Sequence, residues 1–344
     1  MFDLTLTVQT VRVTTGNVMA VTDTTDSQND TLAARAAALV RASAKKTFDP
    51  FTTVDWSIPF DDSRFYLPPQ DLPLYGTELW QGMSERQRIA YSRHECAALC
   101  GTGIWLENIL MRMVVDHLYD LSPTDPTLRY LLVEVGDECR HSAMFGEFVR
   151  AAGTPAYRPT WSVRALGRLV RTLFVGPAAF LAILAAEELL DAVNRRTMRD
   201  RSLHPVSREV AKIHVIEEAR HVSFARKFLE RELPKLGVLR RALLRIAAPL
   251  TVSVVAGAMI NPAVFRALGI PGGVAAAREN PHHRTRLIAD LAELVEFLEA
   301  NDVINQRTRP YWEELGLAAP RPAPSRPAPG IVAPALPIAR ELAL

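Results

Sequence analysis

Two tetrapeptides in this sequence, Glu138-Cys-Arg-His141 and Glu218-Ala-Arg-His221, set a carboxylate and an imidazole three residues apart. On a helix such a pair emerges on one face, so both groups can reach a single metal ion. A third copy, Glu279-Asn-Pro-His282, has a proline in its middle and falls between helical stretches, which shows how weak the tetrapeptide is by itself. Spacing separates the first two from the third. Glu107 precedes Glu138 by 31 residues, and Glu187 precedes Glu218 by the same 31. If each pair lies on an antiparallel helical hairpin turning near 120–126 and 200–205, all four glutamates sit about 12 or 13 residues from their turn. At roughly 1.5 Å per residue they meet at one height, about 19 Å from the turns.

Four carboxylates and two imidazoles in one layer are a donor set for a pair of metal ions. Carboxylates mixed with imidazoles suit iron, or manganese, better than copper, and four negative charges balance two ferrous ions. One Glu from each of two helices and a Glu-x-x-His from each of two more is the arrangement of ferritin-like dimetal carboxylate bundles. Surface charges on amphipathic helices are the plainer alternative. Against it, Glu187 follows the apolar run Phe180 to Ala186, and Glu107 is flanked by Ile104, Trp105, Leu106, Ile109 and Leu110, where a lone charge is costly. The neighbouring Glu188 competes with Glu187 for the ligand role. His214 lies four residues before Glu218 and seven before His221, on the same helical face; geometry alone leaves it either a ligand or a hydrogen-bonded core histidine. Asp137 and Glu217 directly precede the motif glutamates and are candidates to hold ligand imidazoles from behind, or else ordinary solvated acids.

The elements that must position these groups are helical. Ser84-Glu-Arg-Gln87 has the form of a capping box and opens a helix to about Asp120. Asp125-Pro126 reads as an N-cap with proline at the first helical position of a helix to about Ala152. A third helical stretch, 162–200, is interrupted or kinked at Gly176-Pro177, and a fourth starts at His204-Pro205 and runs to about Leu233. Further helices are expected at 238–260, 262–268, 284–300 and 302–315. The fold class is therefore all-α, a ferritin-like four-helix core with additional C-terminal helices. Residues 1–30 form a polar, poorly ordered segment, with Met19 an alternative start and a short strand conceivable over Met1–Val13; 31–317 are one helical domain; 318–344 are a Pro-rich tail.

Composition narrows the partners. The 344 residues are 48% hydrophobic, with 40 basic and 38 acidic side chains, a formal net charge of +2 and no block of like charge to recruit nucleic acid or an anionic membrane. Cys96, Cys100 and Cys139 are too few and too uneven for a disulfide framework. They read as buried thiols of a cytoplasmic protein, with a zinc site at His94, Cys96 and Cys100 as a lesser alternative. The apolar stretches Leu173–Ala186 and Ile246–Ile260 fall short of the roughly 20 residues a bilayer requires. No Gly-x-Gly-x-x-Gly fingerprint supplies a nucleotide cofactor.

With His214-x-x-x-Glu218-x-x-His221 in place, the chain resembles the p-aminobenzoate N-oxygenase family of non-haem diiron arylamine oxygenases over about 84–317. The resemblance implies that Glu107, Glu138, His141, Glu187, His214, Glu218 and His221 ligate two iron ions. It also implies that dioxygen is activated there to oxidise an aryl amine through hydroxylamine and nitroso stages to a nitro group. Electrons would come from an external reductase, and the protein would be a cytoplasmic homodimer. Arg309-Pro-Tyr-Trp-Glu-Glu-Leu-Gly-Leu317 resembles the family's C-terminal helix, which makes Arg309 a candidate anchor for a substrate carboxylate, against a surface arginine at a helix end. Carbon hydroxylation, iron handling without an organic substrate, and a metal-free interaction protein remain open beside it, because a bundle does not fix a reaction.

Overall fold

The computed structural model describes residues 24–321, with side chains from residue 31. Seven long helices build it: α1 (Thr24–Lys45), α2 (Glu85–Tyr119), α3 (Leu128–Ala151), α4 (Trp161–Leu173), α5 (Pro177–Arg199), α6 (Pro205–Glu232) and α7 (Val238–Ala258). Shorter helices follow at Pro262–Ala267, Gly273–Glu279, Pro281–Asp290, Ala292–Ala300 and Arg309–Glu314. Among the described residues there is no strand. α2 and α3 form one antiparallel hairpin and α5 and α6 the other; α1 packs on α6 and α3, α7 on α5, and α4 on α2.

Local chemistry sets the ends of these helices. Ser84 and Gln87 close a reciprocal capping box at the start of α2, each side chain taking the other's backbone N–H, at 3.3 and 2.9 Å. Pro177 and Pro205 occupy first-turn positions of α5 and α6, where a missing N–H costs nothing. The interruption expected at Gly176-Pro177 is a full break, because Gly176 adopts φ +55°, a left-handed value that a helix cannot continue. α3 starts later than expected. Asp125 folds into a local turn, accepting from the Thr127 N–H (2.8 Å) and hydroxyl (2.5 Å), so Thr127 and not Asp125 precedes the helix.

Three other expectations need correction. Residues 24–30 belong to α1, so the N-terminal polar segment is helical from Thr24. The stretch expected helical at 302–315 is helical only over Arg309–Glu314, and the helix Gly273–Glu279 has no counterpart among the expected elements. The stretch Val238–Ala267, which contains Ile246–Ile260, is long and apolar enough to cross a membrane, as is Glu85–Tyr119; half of each apolar window is buried inside the fold. The suggested strand over Met1–Val13 and most of the Pro-rich tail lie outside the described residues.

Two apolar clusters divide the interior. One gathers Leu106, Leu110, Met113, Leu131, Phe180, Leu184, Phe224 and Phe228. The other gathers Tyr66, Tyr91, Met144, Phe145, Phe148, Val210 and Ile213. Along α3 the boundary falls between Leu131 and Met144, and along α6 between Ile213 and Phe224. A layer of charged side chains fills that gap, shut off from water at both ends.

Candidate metal centre

Glu107, Glu138, His141, Glu187, His214, Glu218 and His221 all project into this layer, and each is at most 1% exposed. Both hairpins bring their spaced residues together: Glu107 groups with His141 and Glu187 with Glu218, and Ser142, one residue past His141, donates to Glu107 Oε2 at 2.5 Å. Three groups of these side chains bring ligand atoms within 4.8 Å of one another: Glu107, His141 and His214; Glu138, His141 and Glu218; Glu187, His214 and Glu218. His221 completes the layer, with Nδ1 2.8 Å from Glu138 Oε1 and 3.2 Å from Glu218 Oε2.

A fit to metal ions can be tested on the atoms left without aligned hydrogen-bond partners. Buried polar groups are nearly always hydrogen-bonded. Yet Glu107 Oε1, both oxygens of Glu138, both oxygens of Glu187, His141 Nδ1 and His214 Nε2 have no such partner. These are the inward-facing atoms of ligand-type residues. So many unsatisfied oxygen and nitrogen atoms, each able to give an electron pair to a metal, on one small volume fit a pair of cations. Glu188 does not share this pattern: its carboxylate is held by Arg226 at 2.7 and 2.6 Å, and it turns away from the layer. Between the two candidates the structure therefore assigns Glu187 to the layer.

Electrostatics agree. Burial, reinforced by Glu138, pushes the Glu107 carboxyl well above its ordinary range, and burial with Glu218 and Glu138 does the same to Glu187. Burial opposes charge on Glu138 and Glu218 too, but the imidazoles beside them outweigh it and hold both below the usual range. Conversely, the surrounding carboxylates raise His141 and His221 well above 6.5 despite their burial. Protons on these imidazoles supply positive charge among four glutamates, and metal binding at Nδ1 would displace them. His214 is pulled down to about 4 by burial, so its Nε2 stands neutral.

The acids before each motif glutamate work crosswise. Asp137 on α3 approaches Nε2 of His221 on α6 at 3.3 Å, and Glu217 on α6 takes Nε2 of His141 on α3 at 2.9 Å. Each motif histidine thus turns Nδ1 inward and is oriented from behind by an acid of the opposite helix. Arg220, 7% exposed, links the two acids: its Nη2 donates to Asp137 at 3.0 Å and stands 3.4 Å from Glu217. The Phe48 N–H closes the back of Glu217 at 3.3 Å.

Sequence reasoning missed Arg220. Its signal was present, because both motifs extend to a shared acid-Glu-x-Arg-His pattern, Asp137 to His141 and Glu217 to His221. It also missed Asn194, whose amide lies 3.2 Å from His214 Nδ1, and Ser142; neither carries a sequence signal. Arg309 is not brought to the layer. Its guanidinium binds Glu313 (3.0 Å), Glu299 (2.5 Å) and the Ala319 carbonyl (2.8 Å), fastening the C-terminal helix to its neighbours. The decoy motif is likewise elsewhere: Asn280 caps the helix Pro281–Asp290, and His282 Nε2 meets the Gln70 carbonyl at 2.9 Å. No metal-type cluster among the described residues contains a cysteine. Cys96 and Cys100 are buried, His94 pairs with the Tyr157 hydroxyl at 2.5 Å, and Cys139, expected buried, is exposed because it lies on the side of α3 opposite the bundle core.

An all-helical bundle with four glutamates and three histidines converging in one dry layer is of the ferritin-like dimetal carboxylate class. More narrowly, the chain belongs to the p-aminobenzoate N-oxygenase AurF family, whose model matches residues 29–302. It is also similar to uncharacterized protein Rv0885 of Mycobacterium tuberculosis, 33% identical over 235 residues, or 66% of this chain and 68% of that protein. Uncharacterized protein Mb0909 of Mycobacterium bovis matches to the same extent.

Proposed function

We propose that this protein is a diiron N-oxygenase that uses dioxygen to oxidise the nitrogen of an aryl amine, with iron held by Glu107, Glu138, His141, Glu187, His214, Glu218 and His221. The observation that carries the reading is the convergence of unsatisfied carboxylate and imidazole atoms on one buried volume. When bound, a pair of irons supplies dioxygen activation and electron transfer, chemistry that no side chain offers.

The chain's own residues do the rest. Asp137 orients His221 and Glu217 orients His141 so that each presents Nδ1 inward, and Arg220 holds both acids in place. The two apolar clusters keep water from the layer. An apolar cavity of about 220 Å³ adjoins it, lined by Leu106 and Leu110 beside Glu107 and by Ile183 and Ala186 beside Glu187. This cavity is the proposed seat of the amine's apolar body. Because it presents only Thr251 as a polar side chain, it equally suits a carbon chain, which gives carbon hydroxylation a place as the second reading. An external reductase, a homodimeric assembly and a cytoplasmic location belong to the same proposal.

The test is anaerobic reconstitution with ferrous ion, metal analysis, and reaction of the reduced protein with isotopically labelled dioxygen and a panel of aryl amines. Two irons per chain and label on nitrogen are expected. Label on carbon would move the assignment to the second reading, and a protein that retains no iron would end both.

A further inference from the structure

A second cavity, a cleft of about 360 Å³ between α2 and α4, is lined by five arginines and by no acid: Arg112, Arg158, Arg164, Arg168 and Arg171. Arg164, Arg168 and Arg171 fall at helical spacing and share one face of α4. Arginines elsewhere in the fold are commonly bound to carboxylates, as Arg196 is to Asp71 and Asp290, or Arg226 to Glu188. Among the described residues none of these five has an ion-pair partner, and Arg164 Nε is buried with no hydrogen-bond acceptor. Five like charges around one cleft repel one another, and a bound anion relieves that repulsion. Guanidinium groups suit the task, since their planar donors match phosphate and carboxylate oxygens in pairs.

The cleft does not stand alone. Trp105 and Ile109 line both it and the apolar cavity beside Glu107 and Glu187. Helix α4 lies against this shared wall at Gly167, where a β-carbon would fall 2.4 Å from Trp105 Cζ2 and 2.7 Å from Ile109 Cδ1. From that seat the helix turns its arginines into the cleft and Leu166, Leu169, Val170 and Leu173 into the cavity. One amphipathic helix therefore joins a cationic compartment to an apolar one walled by Leu106 and Ala186, the chain neighbours of Glu107 and Glu187.

We propose that the arginine cleft binds the anionic head, a phosphate or carboxylate, of a substrate whose apolar body fills the adjoining cavity. The substrate class is then an anionic amphiphile. This assignment rests on the cavity being the oxygenase's substrate site, but the cleft's affinity for anions can be measured without turnover.

Titration calorimetry on the full-length, metal-loaded protein would use monomeric octyl phosphate, octanol and inorganic phosphate as probes. Octyl phosphate should bind at least tenfold more tightly than either of the others. Arg164→Glu with Arg168→Glu should remove at least tenfold of its affinity and leave octanol unchanged, whereas Leu250→Trp, at the cavity mouth, should weaken both alkyl probes alike. If the double charge reversal disturbs folding, Arg112→Gln with Arg168→Gln, both exposed, asks the same question. Equal binding of octanol and octyl phosphate, or full affinity in a charge-altered variant of native helicity, would overturn the proposal. So would charge-dependent binding to phosphatidylglycerol vesicles without binding of monomeric octyl phosphate, which would make the arginines a membrane contact. Failure of amine oxidation would leave these binding results intact, so the two claims fail separately.

Discussion

The hairpin α2/α3 and the hairpin α5/α6 carry the same kit, a glutamate 31 residues ahead of the glutamate of an acid-Glu-x-Arg-His sequence, yet they differ four residues before that motif glutamate. There α3 has Glu134 and α6 has His214. Both are buried, and both keep an atom without a partner, Glu134 Oε2 and His214 Nε2. The environment also leaves both uncharged near neutral pH, because burial raises Glu134 to about 8 and lowers His214 to about 4. The first hairpin adds a second acid of this kind, Glu95, also raised to about 8 by burial. The lesson is that the two halves differ without altering the charge of the centre. The second half gains a neutral nitrogen ligand, and the first keeps neutral carboxyl groups that can hydrogen-bond but do not compete for a cation.

This contrast can be broken in graded ways. Glu218→Ala should do the most damage, because Glu218 sits in two of the three ligand groups; bound iron should fall from two to below one per chain by metal analysis, and retention of two would remove Glu218 from the ligand set. His214→Ala should cost one iron while Glu134→Gln keeps both, and equal losses would erase the asymmetry between the halves. Glu95 gives a pH signature. A carboxyl raised from 4.5 to about 8 in the fold destabilises progressively as pH climbs between those values, because the unfolded chain then holds fewer protons than the folded one. Glu95→Gln should therefore raise the melting temperature at pH 8, by up to about 4 kcal/mol of stability, and change little at pH 4. Asp137→Asn and Glu217→Gln should each weaken iron binding about 10- to 100-fold, each through the histidine of the opposite helix, and competition with a chelator would measure it. Arg309→Ala should cost only about 1 kcal/mol in thermal unfolding and leave amine KM unchanged, since its partners are Glu299 and Glu313.

The helices and their heights were legible because they follow from periodicity, capping and proline, all local features, and from two equal spacings that only a pair of matched hairpins explains. His214 was legible as a face-sharing residue, though its state was not, because burial that pulls a histidine to about 4 is a property of packing. Arg309 misled for the opposite reason: a sequence resemblance names a residue, but Glu299, Glu313 and the Ala319 carbonyl decide where its guanidinium goes. Arg220 was marked only by the arginine that both motifs share, and its role was not legible because its partners come from α3 and from the loop after α1; Asn194, whose partner lies on α6, carried no mark at all. The arginine cleft joins residues of α2, the loop before α4 and α4 itself, a meeting that charge counting over the whole chain averages away.

The crossed pairing of Asp137 with His221 and of Glu217 with His141 has a consequence for assembly. Neither hairpin can complete its own ligand geometry before it meets the other, so iron should load late, after the halves have docked. Once loaded, it rivets them together. Chelation should then loosen the seam between α3 and α6 first, exposing their amides to hydrogen exchange before those of α2 and α5.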